Sequence, residues 1–173
     1  MEIRYITPDD NLFEISNIYE KSWRYAYRDL IPKDFLDSIP VGKWADKVTA
    51  EGIYSLVLTK EDVLIGTASF SRSRWEKYSD YGEIISIYFL PEYIGKGCGG
   101  HLLRACISEL KKLGFKRILL RVLEGNHRAR KFYEKYGFTF SGDCQTEQIG
   151  GKELFELIYV YEVRQPAAQP YFS

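Results

Sequence analysis

Four glycines stand within six positions of the run PEYIGKGCGG, residues 91–100: Gly95, Gly97, Gly99 and Gly100. Inside a helix each would cost about 1 kcal/mol against alanine. Yet the run leads straight into the helical spacing of Leu102, Leu103, Cys106, Ile107, Leu110 and Leu113. The chemistry open to such a run is phosphate binding. A helix start presents unpaired N–H groups and a partial positive charge, and glycines before it let an anion approach the main chain. Lys96 adds a positive charge within the loop. A tight turn without a ligand is the plainer alternative.

Three phosphate-holding loops compare with this run. A P-loop, G-x-x-x-x-G-K-[ST], finds Gly95 and Gly100, but His101 and Leu102 stand where Lys and Ser/Thr are required. The dinucleotide pattern G-x-G-x-x-G is met at Gly95, Gly97 and Gly100, and Glu124 imitates the acid that binds a ribose. Against it, Pro91 to Ile94 separate the strand from the first glycine, and the flanking elements lack a repeated βαβ order. The third type rests on a resemblance and follows below.

The elements that must position the loop are legible from periodicity. Residues 2–7 read as a first strand, and Leu12, Ile15, Ile18, Tyr19 and Trp23 mark a helix between Pro8 and Tyr27 with Asn11 near its start. Residues 28–50 predict irregular chain with one or two short helices. Residues 53–60 and 63–71 predict a hairpin across a polar turn. EIISIYFL, 83–90, is an apolar run rich in β-branched residues and predicts a central strand buried on both faces, stopped by Pro91. After the glycine-led helix come a strand at 116–123, a helix capped by Asn126, and a closing hairpin about Gly150-Gly151. The order β-α-α-β-β-β-α-β-α-β-β predicts a mixed sheet with helices packed on it.

Composition narrows the class. The 173 residues suit one domain, and 45% apolar with 28% charged residues is ordinary globular usage. Lys plus Arg equals Asp plus Glu at 24 each, so no bulk nucleic-acid or membrane footprint is indicated. No apolar run reaches about 18 residues, and the polar start MEIRYITPDD does not read as a secretory signal. Cys98, Cys106 and Cys144 form no C-x-x-C pair, which suits a reducing, cytoplasmic setting. The two histidines, His101 and His127, lie in different segments, so no metal cluster and no histidine-based triad is expected. The tail 164–173, with two prolines, predicts loose chain. Oligomeric state is not readable, and a homodimer is allowed rather than indicated.

The run IYFLPEYIGKGCGGHLL resembles the acetyl-CoA pyrophosphate loop, Q/R-x-x-G-x-G/A, of the GNAT superfamily of N-acetyltransferases, with Ile94 to Gly99 occupying it. NHRARKFYEKYGF, 126–138, is similar to that family's next motif, an Asn-started helix ending in F-Y-E-K-x-G-F. One position departs: Ile94 stands where the family usually has Gln or Arg, so a side-chain donor is missing from the loop.

The resemblance implies an α/β (mixed α+β) domain over residues 1–163, with a central, mostly antiparallel twisted sheet of about seven strands and helices on both faces. It implies acetyl transfer from acetyl-CoA to a primary amine by direct attack, with no metal. Gly95, Lys96, Gly97, Cys98, Gly99 and Gly100 would then hold the pyrophosphate, and the main chain of Ile87, Tyr88 and Phe89 the pantetheine arm. Asn126 would bond that arm besides capping its helix, and Arg128, Arg130 and Lys131 would face the 3′-phosphate or adenine, or solvent.

Catalytic roles follow from the same resemblance. The Ile87 N–H would serve the developing oxyanion. An amine with a pKa near 10.4 is neutral in only about one molecule in ~2,500 at pH 7, a deficit of about 4.6 kcal/mol. Glu83, at the family's spacing for a general base, is the candidate to help. Tyr133 would protonate the departing thiolate, since a phenol near 10 stays protonated beside a thiol near 8.5. Residues 22–32 and 72–82, with Trp23, Tyr25, Tyr27, Trp75, Tyr78 and Tyr81, would wall the acceptor. Polyamines, amino acids, aminoglycoside-like amines and protein N-termini stay open. The alternative from another class is a non-catalytic acyl-CoA-binding sensor that keeps the loop without the chemistry.

Overall fold

In the computed structural model, which describes residues 1–164, the chain runs β1 (Glu2–Tyr5), α1 (Leu12–Ala26), α2 (Lys33–Asp37), β2 (Tyr54–Lys60), β3 (Val63–Arg72), β4 (Gly82–Phe89), α3 (Cys98–Lys112), β5 (Arg117–Leu123), α4 (His127–Lys135), β6 (Thr139–Ile149) and β7 (Lys152–Glu162). This is the element order that the periodicity predicts. The expectation of a loose tail falls, Arg164 apart, outside the described residues. The stretch between α1 and β2 holds one short helix and a series of turns.

Local chemistry explains the boundaries. Asn11 caps α1, its Oδ1 accepting from the N–H of Phe13 at 3.1 Å and of Glu14 at 3.4 Å. Asn126 does the same for α4 through the Ala129 N–H at 3.2 Å. The β2–β3 turn is made by Glu61 and Asp62, both with positive φ, which matches the twist of a two-residue hairpin.

The seven strands form one sheet in the order β1-β2-β3-β4-β5-β7-β6. Every neighbouring pair is antiparallel except β4 with β5. One face carries α3 and α4 over a core that includes Phe70, Leu102, Leu103, Leu110, Ile118 and Leu120. The other packs α1 and the following turns around Ile15, Tyr19, Trp44, Val57 and Leu123. Burying each such side chain is worth about 1.5–3 kcal/mol, so both faces anchor the middle strands. β4 lies fourth of seven, the central position its apolar run predicts.

Candidate active site

The site begins where the sheet fails to close. The parallel ladder between β4 and β5 holds only three pairs: Gly82 with Ile118, Glu83 with Leu119, and Ile84 with Leu120. On its other side β4 follows β3 to Phe89, with a bulge that leaves Ile85 without a cross-strand partner. Past Ile84 the strands part, and a cavity of about 350 Å³ fills the gap. Its lining includes β4 from Ile84 to Phe89, Leu120 to Val122 of β5, the glycine loop, Tyr133 and Tyr136, and Ser22, Ala26 and Tyr27 from the opposite side.

Register decides which main-chain groups face this gap. The Leu90 N–H donates to the Ile65 carbonyl at 2.9 Å. Hydrogen-bonded residues alternate along an antiparallel pair. Tyr88, opposite Thr67, therefore spends its N–H and C=O on β3, while those of Ile87 and Phe89 point toward β5. The expectation of main-chain binding by Ile87, Tyr88 and Phe89 is thus corrected at its middle member. Tyr88 contributes a side chain instead. Its hydroxyl accepts from Trp23 Nε1 at 3.0 Å and lies on the α1 side of the cavity.

The four glycines divide into two pairs. Gly95 and Gly97 have φ of +81° and +84°, a region costly to residues with a Cβ, and both look onto open space. Gly97 is the N-cap of α3 and has no side chain to satisfy the first N–H groups of the helix. Gly99 and Gly100 lie within the helix itself. A Cβ on Gly99 would come 3.2 Å from the Phe132 ring, and one on Gly100 1.8 Å from Tyr136 Oη. Gly99 and Gly100 thus let α4 lie close on α3, whereas Gly95 and Gly97 shape the loop.

The side chains of Lys96 and Cys98 do not join the site. Lys96 Nζ sits 5.7 Å from the Tyr93 ring centroid, and neither residue lines the cavity. The Cys98 thiol is buried beside Met1 Sδ at 3.8 Å. Of the two, the buried Cys98 offers a ligand only its main chain, while the Lys96 side chain is exposed outside the cavity.

α4 brings Asn126, Arg128, Tyr133 and Tyr136 to the cavity. The Tyr133 hydroxyl has no hydrogen-bond partner among the described residues. Its ring meets Phe132 and Phe138 edge-on, with centroids at 5.2 and 6.0 Å. Burial, then the nearby Tyr88 phenol and Cys106 thiol, push its pKa well above the ordinary tyrosine value. Asn126 spends Oδ1 on its cap and keeps its amide N–H groups. Arg130 is committed elsewhere, to Tyr159 Oη at 3.1 Å and the Glu124 carbonyl at 3.0 Å. Lys131 is exposed. Lys135, the lysine of the F-Y-E-K-x-G-F run, has no role expected from the sequence and lines the cavity.

Glu83 is not brought to the cavity. It is fully buried on β4, where Oε2 accepts from the Arg74 N–H at 3.0 Å and Nε at 3.1 Å, and Oε1 from Arg74 Nη2 at 2.6 Å. Arg121 Nε adds a charge 3.6 Å away. Burial alone would raise its pKa. The Arg74 hydrogen bonds and the two guanidinium charges outweigh that and hold it below the ordinary value. An unperturbed carboxylate already lies about 6 units below an amine, about 8 kcal/mol uphill for proton transfer, and the pairing widens this gap. Direct proton acceptance by Glu83 does not fit this arrangement. The ion pairs continue from Arg121 to Glu156 at 3.1 Å and to Glu147 at 4.0 Å. Of the aromatic residues expected to wall the acceptor, only Tyr27 lines the cavity. Trp23 and Tyr78 pack in core clusters, Trp75 lies under the Arg121 guanidinium, and Tyr25 stands beside Arg28 and Arg128.

A split sheet facing an uncapped glycine loop fits a long thioester cofactor with a pyrophosphate at one end, and comparison with known proteins agrees. The family model described as the acetyltransferase (GNAT) family matches residues 12–138. The chain belongs to this family. It is an acetyl-CoA-dependent N-acetyltransferase. The uncharacterized N-acetyltransferase YuaI of Bacillus subtilis is 29% identical over 129 residues, 73% of this chain and 74% of its own. The spermine/spermidine N(1)-acetyltransferase of the same organism is 41% identical over 71 residues, 39% of this chain and 47% of its own. Among solved structures, PaiA N-acetyltransferase from Thermoplasma acidophilum in complex with coenzyme A superposes with a TM-score of 0.69 at 21% identity, covering 94% of this chain and 98% of that one. smu.2055 from Streptococcus mutans superposes with a TM-score of 0.74, also at 21% identity, over 94% of this chain and 99% of that one. These two likenesses carry the fold. Among the described residues no helix is long and apolar enough to cross a membrane, and no group of three or more His, Cys, Asp or Glu is placed to hold a metal ion.

Proposed function

We propose that the chain acetylates a small primary amine by direct attack within the gap between β4 and β5. The observation that carries this reading is the meeting, in one cavity, of the free main-chain edge at Ile87 with a Tyr133 hydroxyl that has no partner among the described residues and the uncapped start of α3. The N–H groups of Gly95 to Gly100 hold the pyrophosphate, with Arg128 and Lys135 supplying positive charge along the cofactor side. The main chain of Ile87 and Phe89, and the Asn126 amide, align the pantetheine arm. Acetyl-CoA supplies the activated acetyl group.

The Ile87 N–H donates to the thioester oxygen as that oxygen gains negative charge. The ammonium gives one proton to solvent water before attack. As the nitrogen–carbon bond forms and the carbon–sulfur bond breaks, the nitrogen releases its second proton to water, while Tyr133 gives its proton to the sulfur and regains one from solvent. A phenol whose pKa is raised remains a donor throughout the working pH range. Glu83 acts as a positioning residue, holding Arg74 and Arg121 behind the acceptor side. In that group the carboxylates Glu83, Glu147 and Glu156 outnumber the guanidinium groups of Arg74 and Arg121, which favours a cationic amine. The spermine/spermidine N(1)-acetyltransferase relative is consistent with that direction.

Thiol release from acetyl-CoA, followed against polyamines, amino acids and short peptides with free N-termini, tests the reading. Amine-dependent release supports it. Tight coenzyme A binding with no release from any member of the panel would favour the sensor.

A further inference from the structure

The loop position that the family usually fills with Gln or Arg is Ile94, and its side chain packs against the core cluster beside Tyr93. It offers nothing to a phosphate. A different side chain, that of Tyr136, lines the same cavity. Tyr136 follows the last turn of α4, and its ring crosses the first turn of α3. A Cβ on Gly100 would meet its Oη at 1.8 Å and its Cζ at 2.6 Å. The ring is fixed from two sides, by Phe132 with centroids 5.0 Å apart and by the Arg104 guanidinium 5.6 Å from the centroid.

The Tyr136 hydroxyl has no hydrogen-bond partner among the described residues, and Tyr136 lines the same cavity as Ile94, Gly95 and Gly97. Packing accounts for the ring but not for the oxygen. Phenylalanine would rest on Phe132 equally well, whereas this hydroxyl occupies the space that a side chain at residue 100 would need. What the oxygen adds is a donor beside the uncapped N–H groups of α3.

We propose that Tyr136 donates its hydroxyl proton in a hydrogen bond to the pyrophosphate of acetyl-CoA, replacing the donor that Ile94 lacks. This rests on the reading that the glycine loop holds the pyrophosphate.

Calorimetric titration with coenzyme A, for wild type, Tyr136→Phe, Ile94→Gln and the double variant, tests it. A hydrogen bond to a charged group is worth about tenfold or more in affinity, so Tyr136→Phe weakens coenzyme A by at least that factor. S-acetylpantetheine, which lacks the pyrophosphate, is measured by competition and keeps its affinity in the variant. Ile94→Gln restores more affinity when combined with Tyr136→Phe than it adds to wild type. Binding of coenzyme A within twofold in wild type and Tyr136→Phe would overturn the assignment. So would an equal loss of both ligands, which would mark Tyr136 as packing alone. Absence of coenzyme A binding by wild type would remove the loop reading and this inference with it.

Discussion

Replacing Tyr133 with phenylalanine isolates one proton. The hydroxyl bonds to no described residue, and the ring is held by edge contacts with Phe132 and Phe138 that phenylalanine preserves. Stability should therefore change by no more than about 0.5 kcal/mol, which in a chain of this size is a Tm shift of roughly 2 °C or less. Coenzyme A affinity should stay within about threefold, because the pyrophosphate and pantetheine contacts are made elsewhere. The chemical step should suffer instead. A positioned general acid contributes about 10²–10⁴-fold, or about 2.7–5.4 kcal/mol of barrier. The assay is thiol release under saturating amine and acetyl-CoA, with affinity and Tm measured on the same preparations. A loss in kcat of that size with KM for acetyl-CoA unchanged is expected. A kcat within threefold of wild type would refute the donor role. A fall in kcat matched by an equal loss of cofactor affinity would show that the hydroxyl organises the cavity rather than donating.

The glycine pairs make opposite predictions. Gly97→Val forces a branched residue to φ near +84°, costing about 1–2 kcal/mol. It also removes the gain of about 2.7 kcal/mol that coenzyme A at 100 times its Kd gives wild type in a thermal melt; an undiminished gain would contradict the loop assignment. Gly100→Ala, at a helical position where alanine normally stabilises, should instead lose about 1–3 kcal/mol through the clash with Tyr136. Combining it with Tyr136→Ala should be less costly than the sum of the single changes, and strict additivity in urea melts would sink the packing explanation. Glu83→Gln should destabilise the fold by about 2 kcal/mol at pH 7, since it leaves Arg74 without its ion pair. The folded pKa of Glu83 is depressed, so its contribution is full above the unfolded value near 4.3 and is lost as pH falls through the folded value. The gap between wild type and variant should therefore narrow in urea melts as pH falls below the unfolded value near 4.3, and a gap that does not narrow there would mean that charge is not its source.

What the sequence conveys and what it withholds follow one physical line. Strand β4 was legible because an apolar run such as EIISIYFL belongs between two packed faces, and the element order followed from periods of 2 and 3.6. Residue types near a helix start likewise marked Gly95 and Gly97. What periodicity cannot convey is which side of a strand or loop meets which distant neighbour. Tyr88 reads as one more main-chain contact until its register with Thr67 and the bulge at Ile85 are known. Glu83 stands at the spacing of a base, but Arg74, nine residues away on an irregular loop, takes both of its oxygens. Gly99 and Gly100 read as loop until Phe132 and Tyr136 are seen to require their missing side chains. In each case the residue type was informative and its partner was not, because the partner comes from another element. The same limit bears on the acceptor. The charged side chains behind the gap come from the loop after β3 and from strands β4 to β7, and no local run carries their pattern. Acceptor specificity should therefore respond to Glu147 and Glu156 as a pair, while the cofactor half answers to single residues of the loop.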